Sequence, residues 1–283
     1  MSDQPQAPAK PPRETVYRHT RVVRVTHWIN ALCLFFLIAS GLQIFNAHPA
    51  LYWGQTGFAY RDDGAWITIR AEPLNGQIRG VTRIGPLAWD TTGVLGYSRY
   101  RGQMENRAFP AWTTIPSWRD LASGRRWHFF FAWIFAISGL VYLVHGLRTR
   151  HIQRDLAPTR AEIAPRHLLR EIRSHLMLRF PRGEAAKRYN GLQKIAYFGA
   201  AIVLLPLMVL TGLTMSPGVN AALPFLLDMF GGRQSARSLH FICAALIVAF
   251  IAVHLVMVVI SGLGNNLRSM ITGRYEIEPE AKR

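Results

Sequence analysis

The sequence contains only two cysteines, and neither belongs to a Cys-x-x-Cys-His motif. The absence of that motif excludes the usual covalent attachment of a c-type haem, and two isolated cysteines cannot hold an iron–sulfur cluster. Cys33 and Cys243 both lie within apolar runs, where a cysteine behaves as a small hydrophobic residue. We therefore assign neither of them a redox function.

Charge is scarce as well, since 17% of the 283 residues are charged and 50% are hydrophobic. Four runs of 18 to 22 residues hold no Asp, Glu, Lys or Arg, and they cover residues 28–45, 127–147, 195–215 and 239–260. A helix of that length crosses a hydrocarbon layer of about 30 Å at about 1.5 Å per residue. Four such runs would be unusual in a soluble protein. We predict an all-α membrane protein built on a four-helix transmembrane bundle.

The distribution of Lys and Arg residues along the chain predicts how it is oriented in the membrane. A net charge of +17 would suggest nucleic-acid binding by a soluble chain, but 21 of the 33 Lys and Arg residues lie in the N-terminal tail, residues 148–194 and the C-terminal tail. Such residues accumulate on the cytoplasmic side of a membrane. We predict a bacterial inner-membrane protein with both termini in the cytoplasm, no nucleic-acid partner and an uncleaved first helix, because no cleavage site follows that helix.

The helices divide the chain into segments. Residues 16–45 and 125–270 form the bundle, 1–15 a disordered cytoplasmic tail, 46–124 a periplasmic insertion, 148–194 a basic cytoplasmic loop and 271–283 a cytoplasmic tail. The insertion holds five of the eight tryptophans, and alternating residues at 65–70 and 80–84 predict a short hairpin. It either binds a partner or covers the membrane end. In the basic loop, residues 165–181 predict an amphipathic helix that rests on anionic headgroups or is solvated.

Histidines mark the ends of the apolar runs. They are His27, His128, His145, His240 and His254. A neutral imidazole is a common ligand of haem iron, and ligation by two histidines suits electron transfer because it leaves no open site for oxygen. One histidine at a helix end is usually an interfacial side chain, but five at matching depths are harder to explain in that way.

The helical period relates these histidines to one another. His240 and His254 are 14 positions apart, which leaves an angular difference of about −40° and a rise of about 21 Å, so they share a face with one near each membrane surface. His128 and His145 are 17 positions apart and differ by about −100°. They do not share a face.

The topology then sorts the candidates by membrane side. His128 and His240 lie at outer helix ends and are predicted to ligate one haem, whereas His254 needs a partner at the inner side. The angular mismatch favours His27 over His145 for that role, and His145 stays open as the alternative. Basic residues at the membrane boundary are candidates to pair with haem propionates or to act as headgroup anchors; they are Arg24, Arg125, Arg126, Arg237 and Lys194.

Three stretches resemble the bacterial cytochrome b561 and nickel–iron hydrogenase b-type cytochrome family, and they are similar to the formate dehydrogenase gamma and thiosulfate reductase cytochrome b subunits. The stretches are Arg24-Val25-Thr26-His27-Trp28 leading to Ser40-Gly41-Leu42, Tyr189-Asn190-Gly191-Leu192-Gln193-Lys194 leading to Thr211-Gly212, and Arg237-Ser238-Leu239-His240 with His254. The likeness covers residues 18–45 and 125–270.

The resemblance implies a four-helix bundle that holds two b haems, one near each surface. It implies His240 and His254 as two of the ligands, with His128 and His27 as their partners. It also implies a quinone site near the cytoplasmic haem and a periplasmic catalytic subunit above the other haem. The compact members lack so long an insertion, which leaves the identity of this partner open.

We therefore predict that the protein is a membrane anchor that conducts electrons between quinone and a periplasmic redox subunit. A molybdopterin enzyme is favoured over a hydrogenase as that subunit. The chain is a possible homo-oligomer. The alternative is a self-contained quinone-linked oxidoreductase, such as a superoxide oxidase or ferric reductase. A transporter with histidine proton relays is disfavoured because the four runs hold no Asp, Glu, Lys or Arg.

Overall fold

A computed structural model describes residues 14–57, 64–177 and 189–277. It contains four helices long and apolar enough to cross a membrane, as the sequence predicted. We number them span 1 (Arg21–Phe45), span 2 (Leu121–Arg148), span 3 (Gly191–Thr214) and span 4 (Arg233–Ile260). Each span begins four to seven residues before the charge-free run that predicted it. The reason is that charged residues can take part in helical hydrogen bonding, so the helix extends in the N-terminal direction as far as the residue that caps it.

Polar side chains mark two of these early starts. The main-chain N–H of Val23 donates to Thr20 Oγ1 at 3.4 Å before span 1, and the N–H of Ser123 donates to Asp120 Oδ1 at 3.0 Å before span 2. Such side chains satisfy N–H groups that have no partner within the helix. Charge-free runs therefore locate the apolar part of a span and not its first turn.

Span 3 is not a regular α-helix throughout. Residues Gly199–Leu204 are π-helical, and an α-helix resumes at Leu205 with Pro206 in its first turn. Proline lacks an N–H and its ring clashes with the carbonyl four residues earlier, which a wider turn accommodates. The irregularity next to Pro206 thus takes the form of a π segment.

The chain divides into two compact units, one of Thr26–Val141 and Ala200–Ala249 and the other of Met1–Val25, Tyr142–Gly199 and Phe250–Arg283. We call them the sheet unit and the termini unit. In the sheet unit, the predicted hairpin appears as β3 (Ile67–Leu74) paired antiparallel with β4 (Gln77–Ile84). Strands β2 (Ala50–Leu51) and β5 (Leu87–Asp90) extend it to a four-stranded sheet in the order β2-β3-β4-β5.

A second hairpin, β6 (Tyr97–Tyr100) with β7 (Gln103–Asn106), completes the strands described in this insertion. Aromatic and aliphatic side chains join the helices of the same unit. Cys33 of span 1 packs with Phe131 and Phe135 of span 2, and Leu205 of span 3 lies against that cluster. Phe45 of span 1 stacks on Phe241 of span 4 with centroids 4.9 Å apart.

In the termini unit, the two ends of the described chain pair with each other. Strand β1 (Glu14–Tyr17) runs antiparallel to β8 (Arg274–Ile277). The predicted disordered tail 1–15 is therefore corrected at residues 14 and 15, which pair with a strand that local composition does not reveal, and the predicted tail 271–283 likewise contains β8. The remainder of the N-terminal tail, 1–13, lies outside the described residues.

The predicted amphipathic helix is present as Pro165–Leu176, and residues 178–181 of the same prediction lie outside the described part of the chain. Two further short helices, Pro217–Ala222 and Phe225–Met229, join span 3 to span 4, and Leu263–Thr272 follows span 4.

Candidate haem-binding site

Two predicted ligands lie side by side in the sheet unit. The imidazole rings of His128 in span 2 and His240 in span 4 have centroids 6.3 Å apart and planes inclined at 62°. His128 and His240 are each the eighth residue of their helix, so the starts of the two spans set the height of both rings. The structure thus brings together the outer pair that the sequence predicted.

A hydroxyl group lies beside each of these rings. Ser40 Oγ of span 1 is 3.1 Å from His128 Nδ1, and Thr211 Oγ1 of span 3 is 3.0 Å from His240 Nδ1. Both hydroxyls also donate to main-chain carbonyls one turn earlier in their own helices, Ser40 to Phe36 at 2.6 Å and Thr211 to Leu207 at 2.8 Å. Each histidine is therefore held by the helix that precedes its own.

A glycine follows each hydroxyl residue in the chain. A Cβ atom placed on Gly41 would lie 3.5 Å from His128 Cε1, and one placed on Gly212 would lie 3.3 Å from His240 Cε1. The rings consequently pack against bare helix backbone. The close approach gives a physical reason for glycine at position 212, whereas the distance at Gly41 is that of an ordinary contact.

The geometry fits an iron held between the two imidazoles. Metal–nitrogen bonds of about 2 Å on either side of one ion would separate the ring centroids by about 6 Å. Among the described residues no three His, Cys, Asp or Glu side chains come together in a possible metal site. Two protein ligands suit an iron whose other ligands come from a porphyrin, whereas a bare zinc ion takes three or four.

The insertion holds the first turns of span 4, which carry His240. The N–H groups of Gln234 and Ser235 both donate to the carbonyl of Gly54, at 3.0 and 3.2 Å. Ser238 Oγ donates to the carbonyl of Tyr52 at 2.6 Å and accepts from Trp66 Nε1 at 2.9 Å. Ser238 and Tyr52 are almost completely buried. The insertion is thus part of the support of one candidate ligand.

Three of the four arginines that are candidates to pair with propionates form hydrogen bonds within the protein. Arg24 donates to the carbonyl of Ile271 and Arg126 to Ser123 Oγ at 3.1 Å. Arg237 donates to the carbonyl of Ala50 at 2.9 Å and to that of His48. A guanidinium has five N–H donors, so these bonds leave others for a carboxylate. Pairing with propionates stays a prediction.

The inner histidines fall in different units. His254 belongs to the termini unit, where its ring stacks on Phe250 at 5.7 Å and lies 6.1 Å from Tyr197, while His27 belongs to the sheet unit. His145, the alternative to His27, has its Nε2 atom 3.2 Å from Thr20 Oγ1. The pairing of His254 with either residue therefore remains a prediction from the sequence.

The start of span 3, which carries the Tyr189-to-Lys194 motif, is held by two acidic residues that the sequence analysis did not single out. The carboxylate of Glu171 accepts from the N–H groups of Gly191 at 3.1 Å and Leu192 at 2.6 Å, and Lys194 donates to Glu162 at 2.7 Å. Asn190 adds a side-chain cap. Lys194 is thus paired with Glu162 in the basic loop, and the carboxylate caps explain why the motif opens a helix.

A basic side chain lies next to the same helix start. The guanidinium of Arg18 stacks on the rings of Tyr189 and Tyr275, with centroid distances of 4.9 and 4.7 Å. Burial raises the pKa of Tyr189 to about 12, so this phenol stays protonated at neutral pH. Arg18 ties span 3 to β8 within the termini unit.

Ser40 and Thr211 are the site residues whose role sequence reasoning missed. Both stood in the quoted motifs, but the helical period relates only residues of one helix, and their partners lie 88 and 29 positions away. A signal was available in the repetition of a hydroxyl residue followed by glycine in spans 1 and 3.

Known proteins resemble the chain over most of its length. Residues 18–273 match the family model described as prokaryotic cytochrome b561. A protein of Azospira oryzae described as a putative protein-methionine-sulfoxide reductase subunit, YedZ1, is 30% identical over 255 residues, which are 90% of this chain and 96% of the relative. No solved structure gives a significant match. The chain belongs to the prokaryotic cytochrome b561 family of membrane electron-transfer proteins with haem b.

Proposed function

We propose that the protein is a di-haem cytochrome b subunit that carries electrons between quinone and a periplasmic oxidoreductase. His128 and His240 hold the outer haem, and His254 holds the inner haem with His27. The observation that carries the proposal is the 6.3 Å pair of imidazoles whose Nδ1 atoms are both held by hydroxyls. Involvement of Nδ1 in a hydrogen bond leaves Nε2 of each ring to bind iron.

Haem, when bound, supplies one-electron storage, and the chain supplies the ligands and their orientation. Span 2 and span 4 provide the two outer imidazoles, while span 1 and span 3 hold them from the far side through Ser40 and Thr211. Nearly complete burial of both hydroxyl residues excludes water from competing for these bonds.

The periplasmic partner is proposed from resemblance, with a molybdopterin enzyme ahead of a hydrogenase. The described relative is a putative subunit of a protein-methionine-sulfoxide reductase, which supports a reductase as the partner. Electrons would then run from quinol at the inner side to a sulfoxide-type acceptor outside. The chain would lie in the bacterial inner membrane with both termini in the cytoplasm, as the distribution of Lys and Arg indicates.

The alternative is a self-contained quinone-linked oxidoreductase with the insertion as a lid. The hydrogen bonds that join Gly54, Tyr52 and Trp66 to the first turns of span 4 argue against a movable lid, because they attach the insertion to the site. A partner subunit that co-purifies with the chain supports the conduit. A chain that migrates alone and turns over a small oxidant with quinone contradicts it.

The test is a reduced-minus-oxidised absorption spectrum of the purified full-length chain together with its haem-to-protein ratio. We expect two b haems in the wild type and one in His240→Ala and in His27→Ala. The control is His151→Ala, which removes a histidine that pairs with Asp155 at 2.7 Å in the loop after span 2 and should leave the haem content unchanged.

Each outcome assigns a ligand. A wild-type protein without a b-type band contradicts the proposal as a whole. Full haem retention in His27→Ala, with loss of one haem in His145→Ala, would assign the inner haem to His145 and leave the outer site as proposed.

A further inference from the structure

Ser40 and Thr211 act on the outer histidines in the same way from two different helices. Building on the proposed outer haem, we propose that the two hydroxyls are positioning residues that fix the Nδ1–H tautomer of His128 and His240 and lower the reduction potential of that haem. The argument rests on where the hydrogen atoms must lie.

Each hydroxyl has one hydrogen, and the carbonyl contacts account for it. Ser40 Oγ lies 2.6 Å from the carbonyl of Phe36 and 3.3 Å from that of Leu37, and two acceptors facing it leave its hydrogen directed at the backbone. Its oxygen lone pairs then face His128 Nδ1 at 3.1 Å. A lone pair requires a donor opposite, so Nδ1 carries the hydrogen and Nε2 is free to ligate.

The same argument about hydrogen positions applies to Thr211 in span 3 and His240 in span 4. Thr211 Oγ1 donates to the carbonyls of Leu207 at 2.8 Å and Met208 at 3.1 Å, and its oxygen accepts from His240 Nδ1 at 3.0 Å. Each hydroxyl oxygen therefore selects the same tautomer, with the hydrogen on Nδ1.

An acceptor at Nδ1–H makes the imidazole a stronger electron donor through Nε2. A stronger donor stabilises oxidised iron relative to reduced iron, so the potential falls. Each hydroxyl also donates to a backbone carbonyl. A hydroxyl that already donates becomes a better acceptor for the Nδ1–H of the ring. Removing one of the hydroxyls should therefore raise the potential.

Burial alone does not distinguish these residues, and span 3 offers a matched control. Thr211 is 0% exposed and Thr214 is 1% exposed. The hydroxyl of Thr214 donates to the carbonyl of Thr211 at 2.6 Å, and among the described residues no hydrogen bond joins it to a histidine. Thr214→Val therefore removes a buried hydroxyl of the same kind from the same helix turn without touching the ring.

The experiment is a redox titration of the purified full-length chain, followed optically at the haem bands, for Thr211→Val, Thr211→Ser, Thr214→Val and Ser40→Ala. We expect the reduction potential of the outer haem to become more positive in Thr211→Val and in Ser40→Ala. The reduction equilibrium should change by up to about tenfold, which is about 59 mV for one electron. Thr211→Ser should restore the wild-type value, and Thr214→Val should keep it.

The outcomes separate this inference from the proposed function. Unchanged potentials in Thr211→Val and Ser40→Ala, with both haems retained, overturn the positioning role and leave the di-haem assignment intact. A Thr214→Val shift as large as that of Thr211→Val also overturns it, because general loosening of span 3 would then explain both. Failure of the wild type to bind haem contradicts the proposed function itself.

Discussion

Two glycines beside the paired histidines differ in the room they leave for a side chain. A methyl group on Gly41 would make ordinary van der Waals contact with His128 at 3.5 Å, whereas one on Gly212 would lie 3.3 Å from His240 and force the ring or the helix to give way. Both glycines lie within apolar helices, where alanine is the better helix former by about 1 kcal/mol. The same substitution should therefore have opposite consequences at the two positions.

We expect Gly41→Ala to retain both haems with unchanged thermal stability or a small gain, and Gly212→Ala to weaken binding of the outer haem. The measurements are the haem-to-protein ratio and the temperature at which the haem absorption band is lost. Equal losses in both variants would show that the difference of a few tenths of an ångström does not control the site.

At the scale of elements, the sequence predicted the four spans well and their first turns poorly. Hydropathy reports the apolar interior of a helix, while the first turns depend on caps such as Asp120 and on distant groups such as the carbonyl of Gly54. The hairpin β3–β4 was predicted from alternating residues, although Ile67, Thr68 and Ile69 are all buried in the structure. Strand β1 was not, since its partner β8 lies at the opposite end of the chain.

The β3–β4 hairpin carries an ion pair that makes its stability depend on pH. Glu72 of β3 accepts from Arg83 of β4 at 2.6 Å and from Arg70 at 3.0 Å, and the hydrogen bonds from Arg83 lower the pKa of this carboxyl. A lowered pKa contributes stability that is complete above the ordinary glutamate value of about 4.3 and is lost as the pH falls through the folded value.

We predict that Glu72→Gln speeds hydrogen exchange of the β3–β4 amides at pH 7 by roughly two- to fivefold, since both arginines are partly exposed and the pair is worth about 1 kcal/mol or less. The difference from wild type should vanish once acid protonates Glu72. Glu105→Gln in the β6–β7 hairpin is the control and should leave β3–β4 unchanged. A difference that persists unaltered at low pH would assign the effect to packing.

At the scale of the whole molecule, we propose that both ends of the chain lie in the cytoplasm, because the described residues contain four spans and most Lys and Arg residues lie in the two tails and in residues 148–194. The two native cysteines are 1% and 3% exposed and give a silent background for labelling. Exposed positions that test this topology are Gln103 in β7 of the insertion and Ala161 in the basic loop.

We predict that Gln103→Cys reacts with a membrane-impermeant maleimide in intact spheroplasts and that Ala161→Cys reacts only after permeabilisation. The unsubstituted chain should remain unlabelled in both conditions. Labelling of Ala161→Cys from outside would reverse the topology and exchange the sides assigned to the two haems.

The sequence by itself determined the four apolar spans and placed histidines at their ends, because hydropathy and the helical period act along one helix, whereas the ligation of a haem by His128 and His240 stays a prediction. Only the tertiary structure decided what holds those ligands. Ser40 contacts His128 across 88 positions of the chain, and Gly54 caps span 4 from within the insertion. Such contacts depend on which helices are neighbours and how they are rotated, and a local pattern carries neither quantity.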